Sequence, residues 1–307
     1  MVELYKSYPK WVIIKADYSM IIDNLAEFAS KKYGQNFLKS DYYLRKIVQA
    51  MPRDNLKVAE IGPGLGDLTK ELVKDRNVTA FEVDERLCEH LTNEFKEPIH
   101  KGDFKLRCGD VLEHWESGSL LDEPYHLVAN LPYYIATNII LKAFKDELCQ
   151  SVLVMVQKEV AVKFAAKSKQ KEFSALSVLA QSVGVATLCF EVEAQAFVPA
   201  PNVTSAVLLI EKNISRDDVK FEAFLRIAFQ QPRKKLSKNL TVAFSKDIVQ
   251  ETFSKLNLDT NLRPHEAETS TYHHIYNELK DNLDGSKQTK QRKLSKSREK
   301  NRQQDKQ

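Results

Sequence analysis

Asn130-Leu131-Pro132-Tyr133 puts a carboxamide, a proline and a phenol side by side, directly after the apolar run His126–Asn130. The Asn130 side-chain oxygen and a backbone carbonyl at Leu131 or Pro132 can accept the two N–H groups of a planar exocyclic amine, turning its delocalised lone pair toward an electrophile. Pro132 brings no competing N–H and stiffens the turn. Tyr133 offers a ring face to a base, a contact of about 1–3 kcal/mol in nucleic-acid sites. The set suits methyl transfer to an amine. No strong base is needed, because the nitrogen turns acidic only after the methyl has arrived, so the rate comes from in-line positioning.

A second constellation lies upstream. Lys57–Ile61 reads as a buried strand that runs into Gly62-Pro63-Gly64-Leu65-Gly66 and then a helix, the arrangement that lets backbone approach a ligand without a side chain between. By itself this is also a plain tight turn. Glu82, in Ala80-Phe81-Glu82-Val83-Asp84 at the end of the next strand, suits a carboxylate accepting hydrogen bonds from a ribose diol. Asp84 reads as the N-cap of the helix after it. Asp110, after Gly109 at the following strand end, suits either an adenine amino group or a turn. All these strand ends would line one crevice at the carboxyl edge of a sheet, where an adenosine-containing cofactor would bind.

The elements needed to hold these residues are present. Short β-rich runs at Lys57–Ile61, Val78–Val83, Phe104–Cys108, His126–Asn130, Ser151–Val156, Leu188–Val192 and Ala206–Ile210 alternate with helical patterns at Tyr42–Ala50, Leu68–Lys74, Glu85–Phe95, Thr137–Phe144 and Ser174–Gln181. The alternation predicts an α/β sheet with helices on both faces. The last two strands are joined by a loop too short for a helical crossover, so they are expected to be antiparallel. After Asn213 only helical patterns follow, at Phe221–Phe229, Lys234–Ala243, Ile248–Leu256 and Thr271–Leu279. The expected domains are an N-terminal extension over 1–30, a catalytic domain over 31–212, a helical domain over 213–283 and a basic tail over 284–307.

With 307 residues, 43% hydrophobic and 29% charged, the chain reads as soluble, and no apolar run approaches the roughly 20 residues that span a bilayer. A cytoplasmic protein without membrane association is expected. The net charge of +4 is uneven, because residues 285–307 hold nine Lys/Arg against Glu299 and Asp305, which leaves −3 on the rest. Such a tail reads as disordered and either tracks a polyanion or is merely solvated. Cys88, Cys108, Cys149 and Cys189 are far apart and show no C-x-x-C spacing, so neither a metal site nor a disulfide is expected.

Taken together, Glu60-Ile61-Gly62-Pro63-Gly64-Leu65-Gly66, Asn130-Leu131-Pro132-Tyr133, Gly34-Gln35-Asn36-Phe37-Leu38, Gln157–Val160, Leu176–Gln181 and Phe197–Ser205 resemble the ribosomal RNA adenine dimethyltransferase family, in particular its bacterial RsmA/KsgA branch. The match runs over about residues 31–280. The resemblance implies a Rossmann-like class I methyltransferase sheet with a smaller all-helical C-terminal domain. It also implies S-adenosyl-L-methionine as methyl donor, no metal, and a monomer that methylates the N6 amines of two adjacent adenines near the 3′ end of 16S rRNA within an immature small ribosomal subunit. By the same resemblance, Asn36, Leu38, Gly62, Gly64, Glu82, Asp110 and Asn130 would contact the cofactor. Phe197 would stack on the target adenine opposite Tyr133; from its own surroundings it reads either as a core residue at the end of a strand or as part of a rigid loop exposed beside Pro199 and Pro201. Arg233, Lys234, Lys235 and Lys238 resemble the family's basic stretch, and the three lysines would form either a phosphate-contacting ridge on one helix face or a merely solvated face. Two positions depart from the family pattern: Tyr134 stands where Asn is usual, and Ala136 where Ser is usual. A methylase acting on large-subunit RNA and a non-catalytic RNA-binding assembly factor are the competing readings.

Overall fold

The structure is a computed structural model that describes residues 25–26 and 29–282. The basic tail and nearly all of the N-terminal extension lie outside the described residues. The chain divides into two compact units, one reaching to Ala165 and resuming over Val183–Asp217, the other comprising Ala166–Ser182 and the chain from Asp218 onward.

The first unit contains strands β1 (Phe37–Leu38), β2 (Lys57–Ile61), β3 (Val78–Glu82), β4 (Phe104–Cys108), β5 (Tyr125–Asn130), β6 (Cys149–Gln157), β7 (Gly184–Val192), β8 (Phe197–Val198) and β9 (Ser205–Lys212). Its helices are α1 (Asp41–Gln49), α2 (Asp67–Leu72), α3 (Glu85–Glu94), α4 (Lys96–Lys101), α5 (Val111–His114), α6 (Ala136–Lys145) and α7 (Lys158–Ala165). Seven strands form one sheet in the order β4-β3-β2-β5-β6-β9-β7. The first five are mutually parallel, whereas β9 runs antiparallel to both β6 and β7, as the short connection requires. Val58, Ala59, Leu127, Val128, Val152, Leu153 and Val154 are all buried, as expected for central strands covered by helices on both faces.

From β2 the chain builds β3 and β4 on one side, then crosses back to place β5 on the other side of β2. That reversal opens a crevice between the carboxyl ends of β2 and β5, where the glycine loop and Asn130 emerge. The sequence patterns miss β1 and β8, which form a separate two-stranded antiparallel sheet pairing Phe37 with Val198 and Leu38 with Phe197. Two residues are too few to show alternation. They also miss α4, α5 and α7. At four and six residues, α5 and α4 are too short for a periodic signal, and Pro98 stands in the first turn of α4, where its missing N–H costs nothing.

The second unit is helical: α8 (Ala175–Val183) begins in its inserted segment, followed by α9 (Val219–Ala228), α10 (Leu236–Leu240), α11 (Lys246–Lys255) and α12 (Thr269–Leu279). Phe173 and Val178 join Phe221, Phe224, Leu225, Phe253, Tyr272 and Ile275 in one buried cluster. Residues 166–182 therefore belong with the helical unit rather than with the catalytic domain in which the sequence placed them. Side-chain hydrogen bonds fix the insertion: Thr269 Oγ1 donates to Gln181 Oε1, and Ser182 Oγ lies 2.8 Å from His273 Nε2.

The cysteine expectation is also corrected. Cys88 on α3 and Cys108 at the end of β4 are joined as a disulfide, with Cα atoms 6.1 Å apart. A separation of 20 residues hides this, because only the pairing of β4 beside β3 brings them together. No helix among the described residues is long and apolar enough to cross a membrane.

Buried polar groups tie down the edge of the sheet away from the crevice. Asp146 accepts hydrogen bonds from the Leu120, Leu148 and Cys149 backbone amides and from the Tyr125 hydroxyl. Burial pushes its pKa up, but these donors outweigh burial and hold it below the usual value. Asp146→Asn keeps the volume but turns an N–H₂ toward two donors, so it is expected to cost about 2 kcal/mol in urea unfolding. Because the folded-state pKa is depressed, the wild-type advantage is full above the unfolded carboxyl pKa and is lost as pH falls through the folded value. Unfolding at pH 7 and pH 3 checks both. Ser151, His126 and Asp54 form a hydrogen-bonded chain at the same edge. The order imitates a hydrolytic triad, yet Ser151 is buried in β6 and is not among the residues that line the crevice at the carboxyl edge, so this chain is structural.

Candidate active site

A cavity of about 300 Å³ opens at the carboxyl edge of the parallel strands. Asn36, Leu38, Gly62, Gly64, Glu82, Asp110, Asn130, Leu131, Pro132 and Tyr133 all line it, so the two constellations read from the sequence share one site.

The glycine loop gives the cavity its floor. Gly64 has φ +61°, and a Cβ there would stand 3.1 Å from the Phe37 ring. Gly66 has φ +84°, and its Cβ would meet Phe95 at 2.5 Å. Both positions thus need positive φ and close packing, which only glycine meets without strain. Glu60 lies beneath the loop, wholly buried, and accepts a 2.7 Å hydrogen bond from Thr69 Oγ1. Burial raises its pKa to about 8, with a further push from Glu82.

Glu82 sits at the end of β3 with Oε1 accepting from the Val83 and Asp84 amides, each at 2.9 Å, and Oε2 facing Gly64 N at 3.3 Å. Burial dominates, and its pKa is pushed up to about 7. Asp84 caps α3 by accepting from Arg86 N, as its position predicts, and also accepts from Gln35 Nε2 at 2.9 Å. Gln35 Oε1 accepts from Ser30 N, so this side chain pins the segment 30–36 that leads into β1, the entry loop, to the end of β3. No periodic pattern marks Gln35, and its partner lies 49 residues away. Asp110 caps the short helix α5 by accepting from Leu112 N at 2.8 Å while also lining the cavity, so the turn reading and the ligand reading are compatible.

In the tetrapeptide, Asn130 Nδ2 donates to the Asn36 carbonyl at 3.0 Å. Both hydrogens of a carboxamide are on nitrogen, so this bond fixes which end of Asn130 is the acceptor. Leu131 is buried, and its N–H is held by Met155 O. The Pro132 carbonyl accepts from Ile135 N, which leaves the Leu131 carbonyl as the better candidate acceptor. Tyr133 Oη lies 2.8 Å from Ser205 Oγ, and burial raises the phenol pKa despite this bond. Ser205, at the start of β9, thereby holds the ring in place. The sequence offered it only as the end of a motif.

Two expectations need correction. Phe197 is 3% exposed and packs in the sheet core with Leu38, Leu44 and Val207. Pairing β8 with β1 turns its side chain inward, so it is neither exposed nor part of the cavity lining. The lysine ridge does not form as expected either. Helix α10 starts at Leu236, because Leu236 and Leu240 are the residues that bury; Lys234 and Lys235 stand in the turn before it. Arg233, Lys234, Lys235 and Lys238 are all exposed.

The residues present fit an S-adenosyl cofactor. The buried Glu82 carboxyl faces the cavity above a glycine loop that side chains would fill, with Asp110 at the adjoining strand end. Among the described residues no cluster of His, Cys, Asp and Glu could hold a metal ion.

Comparison with known proteins agrees. The family model described as Ribosomal RNA adenine dimethylase matches residues 27–281. The chain is 52% identical over 260 residues to Ribosomal RNA small subunit methyltransferase A of Sulfurimonas denitrificans, covering 85% of this chain and 97% of that protein. It is 52% identical over 255 residues to the protein of the same name from Aliarcobacter butzleri, covering 82% and 96%. Among solved structures, a dimethyladenosine transferase from Plasmodium falciparum aligns with a TM-score of 0.68 at 20% identity, over 80% of this chain and 98% of that one. At that identity the likeness shows the fold alone. The chain belongs to the ribosomal RNA adenine dimethylase family.

Proposed function

We propose that this protein transfers methyl groups from S-adenosyl-L-methionine to the N6 amines of two adjacent adenines near the 3′ end of 16S rRNA, acting on an immature small subunit. The observation that carries this reading is the Asn130 carboxamide, oriented by Asn36 in the same cavity as the glycine loop and Glu82. The names of the two relatives at 52% identity support the small-subunit substrate.

The cofactor, held by Asn36, Leu38, Gly62, Gly64, Glu82, Asp110 and Asn130, supplies an electrophilic methyl on a sulfonium. Glu82 accepts from the ribose diol and Asp110 from the adenine amino group. Asn130 Oδ1 and the Leu131 carbonyl accept the two hydrogens of the target amine, and Pro132 keeps the turn rigid. Tyr133, held by Ser205, stacks on the target base after it leaves its helix. Phe197, buried here, supports the pocket through the β1–β8 pair rather than by stacking. Arg233, Lys234, Lys235 and Lys238 contact phosphates. The protein works as a cytoplasmic monomer, and methyl transfer from a sulfonium calls for no metal.

The test uses small subunits from a strain lacking its own adenine dimethylase. Incubated with the protein and S-adenosylmethionine, they should gain four methyl groups, found by mass spectrometry as two N6,N6-dimethyladenosines in the small-subunit RNA. No dimethyladenosine, or dimethyladenosine in large-subunit RNA instead, overturns the reading.

A further inference from the structure

Tyr134 is 65% exposed, more than any other large hydrophobic residue among those described, yet it lines the cavity. One side of its ring lies against the entry loop: a Cβ at Gly34 would stand 3.5 Å from Tyr134 Cδ1 and Cε1 and 3.6 Å from Pro132 Cβ. The absent Gly34 side chain lets the ring settle there, and the rest of the ring faces solvent. Lys32 and Tyr33 line the same cavity, with Lys32 Nζ 4.9 Å from the Tyr33 ring centroid and donating to Tyr33 Oη. Tyr134 thus brings an exposed ring, and Lys32, seated beside Tyr33, brings a cation to the lining of one cavity; single-stranded nucleic acid takes such rings for its bases and such cations for its phosphates.

The reaction supplies an occupant for that surface. Drawing an adenine out of its stack leaves the neighbouring base with one bare face. With two adjacent adenines as targets, the second adenine lies at the cavity mouth whenever the first is inside. Tyr133, the preceding residue, lines the same cavity with its hydroxyl held at Ser205, so the two rings can serve consecutive nucleotides.

We propose that Tyr134 is a stacking platform for the adenine adjoining the target, with Lys32 against the intervening phosphate. The proposal rests on the RNA-methylation reading above and adds a residue that sets how the neighbouring base is held. Tyr134 holds the unreacted partner while the first adenine is modified, and the two bases then exchange places.

The experiment uses small subunits reconstituted with a 3′ RNA fragment in which 2-aminopurine replaces one of the two target adenines. That base has no N6 amine, so the other adenine is the only target and the fluorophore reports stacking of its neighbour. Wild-type protein and Tyr134→Phe are expected to quench the fluorophore on binding and to methylate the remaining adenine with equal kcat/KM. Tyr134→Ala is expected to leave the fluorophore bright and to lose about five- to hundredfold in kcat/KM for the subunit. Its affinity for S-adenosylmethionine, measured by calorimetry, stays within twofold of wild type, which also shows that the variant is folded. Equal quenching and kcat/KM in Tyr134→Ala overturns the proposal, as does a parallel loss of cofactor affinity, which would make Tyr134 a cover for the cofactor. If wild-type protein fails to methylate normal subunits, the underlying reading falls with it. If wild type methylates and Tyr134→Ala matches it, only the Tyr134 proposal falls.

Discussion

Asn130→Ala is expected to lower the rate of methyl transfer at saturating cofactor by about a thousandfold or more, with RNA binding unchanged within about threefold. The structure gives the reason. Asn130 Nδ2 is committed to the Asn36 carbonyl, so the oxygen is presented as an acceptor whose direction is set before any substrate arrives. Removing one preorganised hydrogen-bonding group at a reacting centre costs about 10²–10³ in rate. Losing the anchor also frees the entry loop by about an ångström, for which roughly another 10² is typical. The effects overlap, since one side chain does both, so about 10³ is expected rather than their product. Asn130→Asp separates them: it keeps an acceptor but sets a carboxylate oxygen against the Asn36 carbonyl, so it should remain at least tenfold impaired. Single-turnover assays with labelled cofactor read the rate, and filter binding to the subunit reads affinity. A rate for Asn130→Ala above a tenth of wild type would remove Asn130 from the proposed chemistry.

Much of this site was legible in the sequence because local rules fix it. Strands β2, β3 and β5 are short apolar runs ending in Gly, Asp or Pro, and parallel strands must deliver their carboxyl ends to one edge. That alone brings Gly62, Glu82 and Asn130 together. What was missed depends on non-local partners. Gln35 matters because Asp84 is 49 residues away, and Ser205 because Tyr133 is 72 residues away. Phe197 was misplaced because Pro199 and Pro201 suggest an exposed loop, whereas pairing with Leu38 turns the preceding residues into an edge strand with a buried face. Residues 166–182 carry a helical pattern that fits either unit, and only the packing of Phe173 and Val178 assigns them. Cys88 and Cys108 meet through sheet order, which spacing does not encode.

Cofactor affinity is expected to rise with pH through neutrality, and Glu82→Gln to abolish that dependence while weakening binding by about a hundredfold or more. In the cofactor-free protein Glu82 titrates near 7, mainly because it is buried. A ribose diol donates hydrogen bonds and selects the ionised carboxylate, so the apparent dissociation constant scales inversely with the ionised fraction. That fraction rises from about a tenth at pH 6 to about nine-tenths at pH 8, so binding tightens about tenfold over this window. Two charge-assisted hydrogen bonds of about 1.5–3 kcal/mol each underlie the loss in Glu82→Gln. Stability runs the other way. The folded-state pKa values of Glu82 and Glu60, about 7 and about 8, lie above the ordinary 4.5. For carboxyls raised in this way the folded state holds its protons more tightly, so their contribution is full below about 4.5 and is lost as pH rises through 7 and 8. The cofactor-free protein should therefore lose thermal stability between pH 6 and 8 while the shift in Tm produced by S-adenosylmethionine grows. Calorimetric titration and thermal melts of wild type and Glu82→Gln across that range measure both slopes. A wild-type affinity that does not change with pH would mean that Glu82 is already ionised, and burial would then not be what governs this carboxyl. If the glycine loop bound the cofactor by shape alone, Glu82→Gln would bind like wild type at every pH. The ribose contact proposed for Glu82 is thus tested separately from the transfer chemistry proposed for Asn130.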